Sequence, residues 1–71
     1  MQQIKLDTFD PSYASSDPRD LSEGEVWFTT IYEETMRGQC FNMDGFWWFE
    51  GNGNEYTVAE VLAFTPVTVD L

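Results

Sequence analysis

The side chains of this 71-residue chain that could carry out covalent chemistry are one cysteine, Cys40, and thirteen carboxylates. The chain has no histidine, so the commonest general base of enzymes is missing. Neither histidine nor lysine stands near Cys40 in the sequence to hold its sulfur as the nucleophilic thiolate. We therefore interpret Cys40 as a small core residue.

The carboxylates could act in pairs, as two acids do in glycoside hydrolysis when their surroundings push their pKa values apart. Glu33 and Glu34 form such a pair in the sequence. They lie in a predicted turn, where both carboxylates are hydrated as on any protein surface. In so acidic a chain, neighbouring acids are also expected by chance. The sequence therefore predicts no catalytic residue and a chain that is not an enzyme.

Metal and cofactor motifs are also missing from the pattern. The segments 17–20 and 23–25 carry carboxylates that could bind calcium, but neither has the spacing or central glycine of the twelve-residue calcium loop. One cysteine without histidine is too few ligands for structural zinc. The glycines of segment 51–54 are not followed by a phosphate-binding lysine. We predict neither a metal nor a cofactor.

The formal net charge of -10 is the strongest feature of the composition, with only Lys5, Arg19 and Arg37 against thirteen acids. Affinity for DNA, RNA or anionic lipid comes mainly from lysine and arginine, so the charge argues against direct binding to any of them. The simplest interpretation is that the acids keep the chain soluble and monomeric. A sharper one is that they imitate a phosphate backbone and bind a basic groove.

On that sharper interpretation the partner is a protein with a basic surface. The predicted partner-binding acids come from the first half of the chain: Asp7, Asp10, Asp17, Asp20, Glu23, Glu25, Glu33 and Glu34.

The segment 40–49 predicts a β-hairpin, because Asp44-Gly45 suits the two positive-φ positions of a type I′ turn. A two-residue turn sets Met43 opposite Phe46. Going away from the turn, the next pairs are Asn42 with Trp47, Phe41 with Trp48, and Cys40 with Phe49. Facing residues share a side of the sheet. One face therefore carries Phe46 and Trp48 and the other carries Trp47 and Phe49, so both faces are apolar.

These four aromatics, Phe46, Trp47, Trp48 and Phe49, form a predicted partner-binding patch, since aromatic side chains are enriched where proteins dock. A thin domain can cover one face and leave the other partly bare. Either face could be the open one, or the N-terminal segment could cover one face and the last predicted strand, at 61–65, the other. A symmetric homodimer could bury an open face as readily as a foreign protein.

The remaining pattern predicts a mainly β fold. Strands are indicated at 26–32, 36–43, 46–50 and 61–65, with a short strand or arm at 4–9. Residues 10–25 are rich in turn formers, and 51–54 predicts a flexible loop. Thr57 and Glu60 have capping-box spacing.

We predict a single domain: an N-terminal arm with an irregular acidic loop over 1–24, and an antiparallel sheet core over 25–71. The core is expected to be a small β-meander of four to five strands, either SH3-like or a half-open sheet. At most one short helical turn is expected near residues 57–62.

Three segments occur in an order that has a parallel elsewhere: a first strand at 25–28, a Gly-x-Trp turn at 45–47, and a closing segment at 61–66. The order resembles that of small uncharacterised proteins from phages and prophages of enteric bacteria, which close with Val-x-x-Trp-x-Pro. Here Phe64 replaces that tryptophan, and Ala63 stands where histidine is common. The resemblance implies a small β-domain of phage origin and transfers no functional residue.

The N-terminal residues lack the basic and apolar regions of a signal peptide, and no apolar run approaches the ~20 residues that span a bilayer. We expect a cytoplasmic protein of a bacterial host cell with no membrane partner. The leading functional hypothesis is a phage-encoded accessory or inhibitor protein that binds a basic protein. The alternative is a self-associating structural domain that uses its aromatic face.

Overall fold

The computed structural model describes residues 2–70 and is mainly β, with all of its paired strands antiparallel. Five strands form the main sheet, in the order β5-β4-β3-β2-β6: β2 (Gly24–Thr30), β3 (Thr35–Met43), β4 (Phe46–Gly51), β5 (Asn54–Thr57) and β6 (Val61–Pro66). A second, two-stranded sheet pairs β1 (Gln3–Lys5) with β7 (Thr68–Asp70). Three 3-10 turns lie at Pro11–Tyr13, Pro18–Asp20 and Val58–Glu60.

The prediction of a mainly β antiparallel meander is confirmed, as is the single helical turn near residues 57–62. That turn has the predicted capping box, in which the backbone amide of Thr57 donates to Glu60 Oε1 at 2.9 Å. The first two 3-10 turns lie in the segment predicted as irregular turns. Each has proline in its first turn and an aspartate, Asp10 or Asp17, accepting from a backbone amide two residues on.

Two local predictions need correction. Segment 51–54 is not a flexible loop: Gly51 pairs with Asn54, and Asn52 and Gly53 take the positive φ angles, 53° and 80°, of a second two-residue turn. Asparagine tolerates this conformation, so the Asn-Gly pair makes a tight hairpin. The sequence pattern also does not predict the last strand, β7, because its three residues form a strand only by pairing with β1 from the other end of the chain.

The main sheet is strongly curved, because its two edge strands are consecutive in the chain. In a flat five-stranded sheet the edges would lie about 19 Å apart. The four peptide units from Thr57 to Val61 reach at most about 14 Å. The sheet therefore rolls toward itself, and because no ladder joins β5 to β6 it has the half-open form.

The core fills the inside of this roll. Phe49 on β4 lies 5.1 Å from Phe28 on β2 and 5.8 Å from Phe64 on β6, measured between ring centroids. A flat sheet would hold β4 and β6 about 14 Å apart. Phe28 also meets the ring of Tyr56 at 5.8 Å. The inward face of every strand in the main sheet thus contributes to one apolar cluster.

Close backbone approach at one position requires glycine. A Cβ added to Gly38 on β3 would overlap the carbonyl oxygen of Glu50 on the neighbouring strand β4. A Cβ on Gly51 of β4 would come within 2.7 Å of Met36 Sδ and 3.1 Å of the Phe28 ring. Gly38 thus allows the close approach of the two strands, and Gly51 leaves room for the core side chains.

The outward face of β2 is covered at Trp27 by the N-terminal arm. Trp27 lies between the buried Val26 and Phe28 and therefore points outward, and its indole Nε1 donates to the carbonyl of Leu6 at 2.9 Å. The amide of Leu6 donates to Val67 at 2.7 Å, and both residues are buried. The arm before β2 is thus fixed against the sheet on this side.

Candidate functional site

The β3–β4 hairpin projects beyond its neighbours in the sheet. The first residue of β2, Gly24, pairs with Cys40, and the last residue of β5, Thr57, pairs with Trp48. The residues nearer the tip therefore form a two-stranded ribbon. Its turn has the predicted conformation, with φ of 54° at Asp44 and 86° at Gly45.

The predicted register of this hairpin is confirmed at every pair: Cys40 faces Phe49, Phe41 faces Trp48, and Met43 faces Phe46. Because Cys40 and Phe49 point into the core, the alternation of strands places Phe41, Met43, Phe46 and Trp48 on the outer face. We call these four residues the aromatic face. Phe46 is 69% exposed and Met43 50% exposed. Phe41 and Trp48 are half-buried.

The structure distinguishes the two faces of the predicted aromatic patch. Phe49 is completely buried, so it cannot belong to an exposed patch. Trp47 lies on the same inward side and packs against the core while remaining half-buried. Phe46 and Trp48 remain on the open side. The curvature of the sheet encloses the Phe49 side, and the N-terminal arm covers Trp27 on the outer face.

The predicted acids lie in separate groups. Asp20, Glu23 and Glu25 line one shallow cleft near the start of β2, floored by Val26 and Cys40. Asp17 is close by in sequence and forms an ion pair with Arg19 at 2.8 Å. Glu25 forms an ion pair with Arg37 at 2.8 Å. The two arginines therefore neutralise two of the eight predicted acids.

Glu33 and Glu34 lie at the opposite end of β2, in the turn to β3. Five strand steps separate Glu25 from Thr30, or roughly 17 Å, so these acids cannot share a contact with the cleft group. Glu33 takes a positive φ of 63°. Glu34 accepts a long hydrogen bond of 3.5 Å from the hydroxyl of Tyr56.

The remaining predicted acids belong to the arm. Asp7 is exposed. Asp10 accepts from the hydroxyl and the backbone amide of Ser12 at 2.7 and 2.9 Å. These bonds hold the pKa of Asp10 below its ordinary value, and the side-chain bond from Arg19 does the same for the pKa of Asp17. Both groups are turn caps as well as surface charges.

The cleft is small, and the thiol that lines it is not activated. Its volume of about 40 Å³ holds a few water molecules, whereas small-molecule sites measure about 300–1,000 Å³. Burial, with a smaller contribution from the charge of Glu23, raises the pKa of Cys40 to about 11. The thiol is 2% exposed and unpaired. It is a core residue, as the sequence indicated.

Two acids that the sequence reasoning did not single out lie beside the aromatic face. Glu50 is two residues beyond Trp48 on β4 and so lies on the same outer face, and it pairs directly across the sheet with Glu55 on β5. Both are exposed. Within residues 2–70, no cation lies within ion-pair distance of either carboxylate. We call Glu50 and Glu55 the carboxylate pair. Their adjacency depends on the β4–β5 hairpin, where the sequence predicts a flexible loop.

Across residues 2–70, no group of three cysteine or acidic side chains is arranged to hold a metal ion. None of the helical segments in that range is long or apolar enough to cross a membrane.

Comparison of the chain with protein-family models, with curated proteins and with solved structures finds no match in any of the three.

Proposed function

We propose that this chain is a non-enzymatic acidic module that binds a basic protein surface. In its most specific form, the chain is a phage-encoded accessory or inhibitor protein in a bacterial cytoplasm. It docks on a host nucleic-acid-handling or defence protein in place of DNA or RNA. The resemblance of segments 25–28, 45–47 and 61–66 to small phage proteins supports the phage origin.

The observation that carries the proposal is the unneutralised negative charge on a compact, filled sheet. The net charge is -10, and two of the three basic side chains, Arg19 and Arg37, are already paired with carboxylates of the same chain. A basic partner can therefore meet exposed acids at both ends of β2 and along the outer face. Opposite charge of this kind accelerates association and makes it sensitive to salt.

The small cleft and the buried thiol support a binding role over a catalytic one. A reaction needs a pocket in which polar groups converge on a substrate. The cleft of about 40 Å³ is too small for one. The thiol at its floor has its pKa raised to about 11, which is opposite to the activation that a nucleophile needs.

Competition with a labelled DNA duplex tests the proposal. The duplex is bound to a bacterial nuclease, a polymerase or a CRISPR effector, and fluorescence anisotropy is followed as the protein is added. We expect displacement of the duplex by at least one of these proteins, weakening steeply between about 0.05 and about 0.5 M salt. Displacement that is indifferent to salt would exclude phosphate mimicry. Failure to displace the duplex from all three classes would contradict the specific form of the proposal.

The second candidate function is a self-associating structural domain, and the exposure of Phe46 and Met43 favours it. Light scattering at micromolar concentration separates the two candidates. A strict monomer rules out self-association, whereas a stable dimer that dissociates when Phe46 is replaced by serine would support it.

A further inference from the structure

We propose that the partner docks on the outer face of the β3–β4 ribbon, with the aromatic face as the centre of contact and acidic groups as its rim. The occupant is a protein surface that presents apolar side chains bordered by lysine or arginine. This inference rests on the proposed function and names the site and the chemistry of its partner.

The first step is the arrangement of the ribbon along β4. Phe46, Trp48 and Glu50 follow one another on the outer face, with steps of about 6.8 Å between alternate residues. Asp44 lies in the turn beyond Phe46, and Glu55 flanks Glu50 on β5. The aromatic face is thus bracketed by carboxylates at the tip and at its inner end. Apolar contacts surrounded by a charged rim are the usual anatomy of a protein interface.

The second step concerns the carboxylate pair itself. Like charges directly opposite each other on neighbouring strands destabilise a sheet. Glu25 on the same outer face has Arg37 as a partner at 2.8 Å, but within the described chain the carboxylate pair has no such cation. A lysine or arginine from another protein would relieve the repulsion between Glu50 and Glu55, which makes this point of the surface complementary to a cation.

The third step decides between a foreign protein and a second copy. From their exposure, the four side chains of the aromatic face offer on the order of 300 Å² of apolar surface. A stable interface takes about 800 Å² from each partner. A homodimer through this ribbon would have to gain the rest from acidic surroundings and would bring together two chains of net charge -10. A partner with a basic surface would instead be attracted to the surrounding carboxylates, and contacts with them would supply the remaining interface area.

Two double variants and one single variant distinguish docking at this site from charge attraction spread over the whole surface. Glu50→Gln with Glu55→Gln removes two charges beside the aromatic face. Glu33→Gln with Glu34→Gln removes two charges at the far end of β2 and is the matched control. Phe46→Ser removes the most exposed aromatic ring without disturbing the core, because that ring is 69% exposed. Circular dichroism and thermal unfolding establish that each variant is folded.

The probe is a synthetic amphipathic helical peptide in which a leucine stripe is bordered by lysines, and binding is followed by tryptophan fluorescence. A peptide with glutamate in place of each lysine, and one with serine in place of each leucine, serve as comparison probes. We expect the leucine–lysine peptide to bind and the glutamate peptide not to bind. The double Glu50/Glu55 variant should weaken binding about tenfold, Phe46→Ser more than tenfold, and the Glu33/Glu34 control less than twofold.

Four results would overturn the inference. Equal weakening by the two double charge variants would mean that attraction is spread over the molecule, which leaves the proposed function standing and removes this site. Equal binding of the leucine–lysine and serine–lysine peptides would remove the aromatic face from the contact. A dimer in light scattering that Phe46→Ser abolishes would make a second copy the occupant. Absence of binding to either lysine peptide, even at low salt, would count against both the site and the proposed function.

Discussion

At the scale of single residues, the alternation of a strand assigns different roles to neighbouring side chains. Phe49 is enclosed by Phe28 and Phe64, whereas Phe46, three residues earlier on the same strand, is 69% exposed. The sequence indicates the pairing within this hairpin because the turn residues fix it. It leaves open which side is inward, since both sides are apolar and the deciding contacts come from β2 and β6.

The contrast between Phe49 and Phe46 predicts unequal costs for the same substitution. Phe49→Ala should lower the free energy of unfolding by about 3–5 kcal/mol, because it leaves a cavity among packed rings. Phe46→Ala should cost at most about 1 kcal/mol through its lost contact with Met43. Urea unfolding followed by circular dichroism measures both. Similar losses from the two variants would contradict the assignment of inner and outer faces.

Cys40 should react slowly with thiol reagents in the folded protein. With a pKa of about 11, roughly one thiol in a thousand is ionised near pH 8, and the side chain is 2% exposed. We expect little labelling by a disulfide reagent under native conditions and complete labelling in urea. Rapid stoichiometric labelling of the folded protein would show that the thiol is accessible and would reopen the question of its chemistry.

At the scale of elements, the turn Val58–Glu60 determines the curvature of the sheet. It joins the two edge strands over a span shorter than the width of a flat sheet, and the capping box of Thr57 and Glu60 stabilises it. Glu60 also accepts from the hydroxyl of Tyr32 at 2.6 Å, which connects this turn to the β2–β3 turn. The capping box follows from residue spacing alone, but the contact with Tyr32, 28 residues away, does not.

The capping box predicts a pH dependence of stability. The hydrogen bond from the Thr57 amide, together with that from Tyr32, holds the pKa of Glu60 below its ordinary value of 4.5. The unfolded chain therefore binds this proton more tightly than the folded one. The stabilisation is complete above the ordinary value and is lost as the pH falls through the lower, folded value.

Thermal unfolding from about pH 7 to about pH 3 tests this dependence. Glu60→Gln should lower the melting temperature at neutral pH, and its difference from the unaltered protein should shrink as the solution becomes acidic. Glu55→Gln removes a charge without removing a cap and is the control. A difference between Glu60→Gln and the unaltered protein that stays constant over the whole range would contradict the role of the ionised carboxylate.

At the scale of the whole molecule, local sequence patterns predict only part of the fold and of the candidate site. Strand positions and the β3–β4 hairpin follow from such patterns. The β1–β7 pair and the rolled sheet depend on partners distant in the chain, which local patterns cannot specify. The carboxylate pair is hidden in the sequence for the same reason, because Glu50 and Glu55 become neighbours only through the tight turn at Asn52-Gly53.

Net charge offers a reason why so acidic a chain can expose aromatic rings. Exposed apolar patches of a few hundred Å² often mark interaction sites, and net charge opposes their self-association. On the proposed function, the charge that opposes self-association also attracts a basic partner to the ribbon. The aromatic face would then provide contact area, and the surrounding carboxylates would select the partner.

Titration of the isotopically labelled protein with the leucine–lysine peptide, followed in nitrogen–proton correlation spectra, tests whether the ribbon is the docking site. We expect the largest shifts at residues 41–48 and at Glu50 and Glu55, with Glu33 and Glu34 unmoved. Shifts concentrated at the far end of β2, or scattered evenly over all acidic residues, would contradict docking at the ribbon.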